Sequence, residues 1–119
     1  MKTIDKATLL TKTKRRYKVI KFQGDVFTFQ NMSELEKSDY EVKIQTSKDF
    51  GFEKAKRLLI CRTLVDENNL RVFADSDITL LEPLDGRITS VLYATASDHC
   101  GYDSSEVEDI IKNSETAAG

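Results

Sequence analysis

The densest pattern of apolar positions lies in the middle of the chain, between Phe52 and Asp77. From about residue 53 to 66, apolar residues recur at helical spacing and cover more than one face. A helix with this pattern is buried on most of its circumference. The pattern therefore predicts a central buried helix against which the other segments pack. Its apolar positions are Ala55, Leu58, Leu59, Ile60, Cys61, Leu64 and Val65.

The N-terminal part of the chain has a strand-like pattern. Residues 3–11 predict a short helical turn, and two runs rich in β-branched and aromatic residues follow at about 16–22 and 26–30. The turn Gln23-Gly24-Asp25 separates the two runs, which is typical of a β-hairpin. Because a lone hairpin is only marginally stable in water, we expect it to pack on the helices.

A helix is predicted over 34–46, directly after the hairpin. Ser33 and Glu36 have the spacing of a capping box, in which each side chain bonds to the backbone of the other residue. Leu35, Tyr40 and Ile44 give this helix only a thin apolar stripe. We therefore expect it to lie on the surface.

Turn-forming residues at 66–69 are expected to end the central helix, with an asparagine in the left-handed conformation. An extended segment at 70–73 and a short helix follow. Asp75 or Ser76 is expected to cap this short helix, which runs to Leu81.

The C-terminal part predicts two further helices. Apolar residues spaced by three and four positions predict an amphipathic helix over 86–99, with Asp85 as its cap and Gly101 just past its end. Asp103 and Glu106 form a second capping box before the last helix. The apolar side of that helix consists of Val107, Ile110 and Ile111.

These elements predict a mainly helical α+β fold, with an N-terminal β-hairpin packed on a bundle of about four to five helices. The 119 residues suit a single domain, 1–119. We expect the end segments 1–11 and 113–119 to be flexible, since polar and small residues dominate the second of them and chain ends commonly fray.

Charge is divided unevenly along the chain. Residues 1–62 contain 15 Lys and Arg against 8 Asp and Glu, a net charge of +7. Residues 63–119 contain 3 against 12, a net charge of −9. Oppositely charged halves can attract copies head to tail, which predicts self-association. The alternative is that both halves are simply solvated.

The two cysteines are far apart and form no CxxC motif, and the N-terminal residues lack the apolar core of a secretory signal. This favours a cytosolic protein with reduced thiols. No apolar run approaches the roughly 18 residues of a membrane span, so we expect no membrane association.

We expect no catalytic residue, no cofactor and no bound metal. Residues 66–77 resemble a calcium loop in letters only, because Leu70 and Arg71 stand where an oxygen ligand and a glycine are needed. His99 and Cys100 are too few for a metal site, and adjacent helical residues point about 100° apart. A small enzyme using these two residues is kept as a further hypothesis, which requires a lowered thiol pKa.

The segment 12–21 contains six cations in ten positions, beside Tyr17 and Phe22. Cations and aromatics suit phosphate contacts and base stacking, so a small nucleic-acid-binding regulator is an alternative function. Against it stand the acidic pI of about 5.4 and the lack of a known nucleic-acid-binding motif. Lysines on an exposed strand also guard its edge against aggregation.

Three features together resemble the tail assembly chaperones of long-tailed phages and prophages. The first is the basic strand, turn and strand followed by a capped helix, from Tyr17 to Ile44. The second is Leu64-Val65-Asp66-Glu67-Asn68 running into an arginine-x-phenylalanine and an aspartate-x-aspartate-isoleucine. The third is an amphipathic helix, a glycine break and a closing acidic helix. The chain departs from the family at Asn68-Asn69, where a glycine is often found.

The resemblance implies a non-catalytic protein of the infected host's cytoplasm that is absent from the mature virion. It also implies binding to the tape-measure protein, recruitment of tail-tube subunits and self-association. We predict two partner-binding surfaces, the basic hairpin and an aromatic edge. Their residues are Lys14, Arg15, Arg16, Lys18, Phe50 and Phe52.

Overall fold

In the part of the chain that the computed structural model describes, residues 2–47 and 50–118, five α-helices accompany a three-stranded antiparallel sheet. The fold is α+β and mainly helical, with a β-hairpin near the N-terminus, as predicted. Two short 3-10 segments complete it, Thr11–Thr13 and Asp75–Leu81. In chain order the other elements are α1 Lys6–Leu10, β1 Tyr17–Phe22, β2 Asp25–Gln30, α2 Glu34–Thr46, α3 Phe52–Thr63, β3 Leu64–Val65, α4 Gly86–His99 and α5 Glu106–Ala118.

A two-residue turn joins β1 to β2. Gln23 and Gly24 both have positive φ, 53° and 85°, and Phe22 pairs with Asp25 across the turn. Two consecutive left-handed residues follow the right-handed twist of the strands, so this turn fixes the hairpin register. The predicted hairpin is confirmed, with strand bounds within one residue of those expected.

The central helix is confirmed as the core element, but its predicted C-terminal end at residue 66 is wrong. The helix ends at Thr63, and Leu64 is already extended, with φ −73° and ψ 123°. Leu64 and Val65 form β3, which pairs antiparallel with Phe29 and Thr28 of β2. Strand pairing between distant segments overrides the local helical pattern here, and it turns the predicted hairpin into a three-stranded sheet.

The core surrounds α3, which contacts α4, α5 and the 3-10 helix. The buried α3 residues are Ala55, Leu58, Leu59, Ile60, Cys61 and Thr63. Tyr40 of α2 is fully buried and donates its hydroxyl to the Ala55 carbonyl oxygen at 2.7 Å. Its ring lies 6.2 Å from the ring of Tyr102, which brings α2 close to the segment before α5.

The predicted helix ends are largely confirmed. Ser33 and Glu36 form the capping box of α2, and Glu106 and Asp103 bond reciprocally at the start of α5. Asp85 caps α4 by accepting from the Arg87 N–H at 2.9 Å. Gly101 follows α4 with φ 84°, the left-handed conformation expected past a helix end.

Two residue-level predictions in these helices are wrong. The sequence predicts Leu35 in the apolar stripe of α2, but Leu35 is 77% exposed because Tyr40 and Ile44 form the inward face. The 3-10 helix begins after Ala74, not at a cap formed by Asp75 or Ser76. Its first turn is closed by the Asp77 carboxylate, which accepts from the Ala74 N–H at 2.9 Å.

Some predicted features fall outside the described residues. The predicted flexible ends include Met1 and Gly119. The sequence also predicts a break over 47–51, between the helix over 34–46 and the central helix, and this range includes Lys48 and Asp49. Within the described part, the N-terminal segment contains α1 and the C-terminal helix continues to Ala118.

The molecule is flat. Its principal extents are 47 × 45 × 24 Å and its Cα radius of gyration is 15.6 Å. A compact domain of this length has a radius of gyration of about 13–14 Å. None of the helices in the described part of the chain has the length and apolar character needed to cross a membrane.

Candidate protein-interaction surface

The basic segment before β1 is held in place by Arg15. Its guanidinium contacts both carboxylate oxygens of Glu36, at 2.7 and 3.1 Å, and it donates to the Asn31 carbonyl oxygen. The hydrogen bond from Arg15 lowers the pKa of Glu36 to about 2. Arg15 thus joins the segment to the first turn of α2. Of Lys14, Arg15, Arg16 and Lys18, it alone forms a salt bridge with a residue that the structure describes.

Arg16 is held by its backbone and leaves its side chain exposed. Its N–H donates to Asn31 Oδ1 at 2.9 Å, and its carbonyl oxygen accepts from the Asn31 N–H at 3.1 Å. The same carbonyl oxygen lies 3.1 Å from His99 Nε2, at the end of α4. The start of β1 is therefore fixed from two sides.

Several cations of the N-terminal segment have no carboxylate partner within the described residues. Two of them, Lys12 and Lys14, line a groove of about 510 Å³ between this segment and the start of α2, together with Arg15. Over residues 12–21, the side chains without an ion pair to a described residue are Lys12, Lys14, Arg16, Lys18 and Lys21. We call this set the basic row. An uncompensated row of this kind attracts an acidic partner.

The hairpin exposes apolar side chains on its outer face. Strand alternation places Tyr17, Val19 and Val26 on the side opposite to Phe29, which is fully buried in the core. Their exposed fractions are 43%, 58% and 60%. We call these three residues the outer patch. It lies beside the basic row, so the hairpin combines apolar surface with positive charge.

The predicted aromatic edge is turned towards the core. Phe50 and Phe52 are both half-buried and pack against the core residues. The Phe52 ring meets Tyr93 of α4 edge-on at 5.8 Å, and the Lys56 ammonium lies 5.4 Å from the Phe52 ring centre. These two aromatics therefore offer little free surface, while Lys14, Arg16 and Lys18 of the predicted set remain exposed.

A network of ion pairs is centred on Asp75. Arg62 of α3 bonds Asp75 at 2.9 Å and Asp39 of α2 at 2.7 Å. Arg71 donates to Asp75 at 2.6 Å and to the Cys61 carbonyl oxygen at 2.9 Å. Partial burial acts to raise the pKa of Asp75, but the bonds from the two arginines lower it to about 2. The network joins α2, α3 and the segment before the 3-10 helix.

Sequence reasoning did not find the outer patch or this network. A signal for the patch exists in β1, since Tyr-Lys-Val-Ile-Lys-Phe places apolar residues on both faces of one strand. Only one face of the strand can pack on the core, so apolar residues on the other face indicate a second contact surface. The network had no sequence signal, because its acidic and basic residues come from three separate segments.

The pair His99 and Cys100 does not form an activated nucleophile. Burial raises the pKa of the Cys100 thiol to about 11, the reverse of what a reactive cysteine requires. Among residues 2–47 and 50–118, no three His, Cys, Asp or Glu side chains are grouped so as to hold a metal ion.

Comparison with protein-family models, with curated proteins and with solved structures finds no match to this chain.

Proposed function

We propose that this protein is a non-catalytic chaperone of phage tail assembly, which binds the tape-measure protein and recruits tail-tube subunits. It acts in the host cytoplasm and leaves before the virion is complete. The sequence resemblance suggests this role, and the mainly helical α+β fold with a small hairpin is compatible with it.

The observation that carries the proposal is the surface of the hairpin. The outer patch exposes Tyr17, Val19 and Val26 beside cations that lack a carboxylate partner. Grouped apolar side chains rimmed by polar ones are typical of protein-binding surfaces. A tape-measure protein is a long helical polymer whose apolar faces aggregate when uncovered, and a small binding protein with such a surface would keep it in solution.

The proposal is tested by co-expression with the tape-measure protein, a long protein that the proposal expects to be encoded downstream of this gene. We expect the soluble fraction of that protein to rise in the presence of the chaperone. The double variant Tyr17→Ser/Val19→Ser should lose this effect, whereas Leu35→Ser, which alters an exposed residue on α2, should keep it.

Two results would contradict the proposal. One is that the long protein is equally soluble with and without this chain. The other is that no tail-tube or tape-measure gene lies near this gene. Circular dichroism of each variant shows whether a lost effect comes from unfolding.

The basic row favours a second candidate, a nucleic-acid-binding regulator. Lys12 and Lys14 are exposed at one groove, and Arg16 is exposed two residues further along the chain. Together they provide charges that phosphates can contact. This candidate predicts DNA or RNA binding that falls steeply with salt and is lost in Lys14→Ala/Arg16→Ala. Arg15 is not suited to this test, because its replacement also removes the ion pair with Glu36.

A further inference from the structure

Strand β1 forms an outer edge of the sheet. The strand order is β1-β2-β3, so β1 pairs with β2 on one side only. Most of β1 is exposed, and only Ile20 and Phe22 are half-buried. A strand in this position can accept a further strand from another chain.

The register identifies which backbone groups face outwards. Arg16 and Asn31 are hydrogen-bonded, and the pairing continues in step to Phe22 and Asp25 at the turn. In an antiparallel pair, hydrogen-bonded and non-hydrogen-bonded positions alternate. The N–H and C=O groups of Tyr17, Val19 and Lys21 therefore point away from β2.

These outward groups have no partner within the described part of the chain. No hydrogen bond joins the backbone of Tyr17, Val19 or Lys21 to a residue outside the hairpin. The three residues span about 14 Å of strand. The edge thus offers three backbone N–H donors and three C=O acceptors, with which an added antiparallel or parallel strand could form hydrogen bonds.

Charge decides which strand fits this edge. Lys18 and Lys21 lie on opposite faces of β1, and neither has an ion pair with a described residue. Pairing of β1 with β1 of a second copy would bring two basic rows together, and such repulsion disfavours it. A strand with acidic residues opposite the two lysines would neutralise their charge. An apolar residue opposite Val19 would pack against its side chain.

We propose that the edge of β1 binds an extended acidic segment of a partner protein, which adds to the sheet as a further strand. The proposal rests on the proposed protein-binding function and deepens it by naming the surface and the chemistry of the partner. The same lysines that keep two copies apart then select the acidic partner.

The probe is a synthetic peptide with Glu at the positions opposite Lys18 and Lys21 and Val at the position opposite Val19, and the control is the same peptide with Lys in place of each Glu. Amide hydrogen exchange measured by NMR reports on each position. We expect the Glu/Val peptide to protect the amides of Tyr17, Val19 and Lys21, while Lys18 and Ile20 are protected already. The Lys/Val peptide should protect none of the three outward amides.

A pair of variants separates the backbone from the side chain. Val19→Pro removes the central outward N–H and is tolerated on an edge strand, whereas Val19→Ala keeps the N–H. We expect Val19→Pro to weaken peptide binding about tenfold or more relative to Val19→Ala, as the loss of edge hydrogen bonds implies. Lys21→Glu should weaken binding as well, while Lys54→Glu on the exposed side of α3 should not.

Four results would overturn the inference. They are equal binding by Val19→Pro and Val19→Ala, equal binding of the two peptides, protection that arises from protein concentration alone, and protection by an oligonucleotide at the same three amides. If Val19→Pro and Val19→Ala keep the tape-measure protein equally soluble, the edge inference fails and the proposed function stands. If the tape-measure protein binds neither the variant nor the original chain, the proposed function fails.

Discussion

At the scale of single residues, Asp75 is the most connected charge in the described structure. It accepts hydrogen bonds from Arg71, four residues away, and from Arg62 and Lys43, which lie 13 and 32 residues away in sequence. The sequence indicated Asp75 only as a helix cap, because local spacing reports neighbours along the chain and not partners across it. Its real role depends on packing that only the folded chain defines.

Asp75→Asn should lower the free energy of unfolding at neutral pH. It should also make that free energy fall less steeply in acid. The pKa of Asp75 is lowered to about 2, so its stabilising effect is complete above about pH 4 and is lost as the pH falls towards 2. We expect a loss of about 1–2 kcal/mol at neutral pH, since the side chain is partly exposed and screened. Urea unfolding at several pH values measures this. If the Asp75→Asn variant lost as much stability as the original chain when the pH falls from about 4 towards 2, the proposed contribution of the Asp75 carboxylate would be contradicted.

Leu59 and Leu35 make a matched pair for the core. Leu59 is fully buried in α3, and Leu35 is 77% exposed on α2. Leu59→Ala should lower the free energy of unfolding by about 2–5 kcal/mol because it leaves a cavity. Leu35→Ala should change it by less than about 0.5 kcal/mol. Similar losses in both variants, measured by chemical unfolding, would show that burial of the central helix is not what holds the fold.

At the scale of elements, local signals predicted nearly everything that depends on local chemistry. Capping boxes, the turn at Gly24 and the glycine after α4 were read from the sequence, because each acts within a few residues. Strand β3 was missed, since Leu64 and Val65 continue an apolar helical pattern and become extended only by pairing with β2. The inward position of Phe52 was missed because it depends on contact with Tyr93 of α4, which is distant in sequence and has no local signal.

Gly24 and Gly86 allow one chemical change to be tested in two settings. Gly24 has φ 85°, where a side chain is strained, whereas Gly86 begins α4 with open space around the added methyl. Gly24→Ala should destabilise by about 1–2 kcal/mol. Gly86→Ala should stabilise by about 0.4–1 kcal/mol, mainly by restricting the unfolded chain. Melting temperatures should therefore move in opposite directions, and a shift in the same direction would contradict the assigned turn.

At the scale of the whole molecule, ion pairs neutralise part of the charge division along the chain, because Asp75 and Glu82 of the acidic half pair with Lys43, Arg62 and Arg57 of the basic half. The basic row lies at the hairpin, while Glu106, Glu108 and Asp109 lie in the first turn of α5. Head-to-tail contact between copies would join these regions without pairing two basic rows. Self-association of this kind remains a prediction of the sequence.

Sedimentation velocity at increasing protein concentration tests this head-to-tail self-association. We expect larger species at low salt and their loss at high salt, because screening weakens contacts between exposed charges. Reversal of Glu106 and Asp109 to Lys should also abolish the larger species, whereas Lys54→Glu should not. Larger species that persist in high salt would show that apolar contacts hold the copies together.

The flat shape has a consequence for any role as a coat. A plate with broad faces of about 47 × 45 Å and a thickness of 24 Å shields more of a rod per unit mass than a sphere of equal volume does. Copies laid side by side along a filament would form a thin sleeve. Few subunits would then be needed to cover each length of filament.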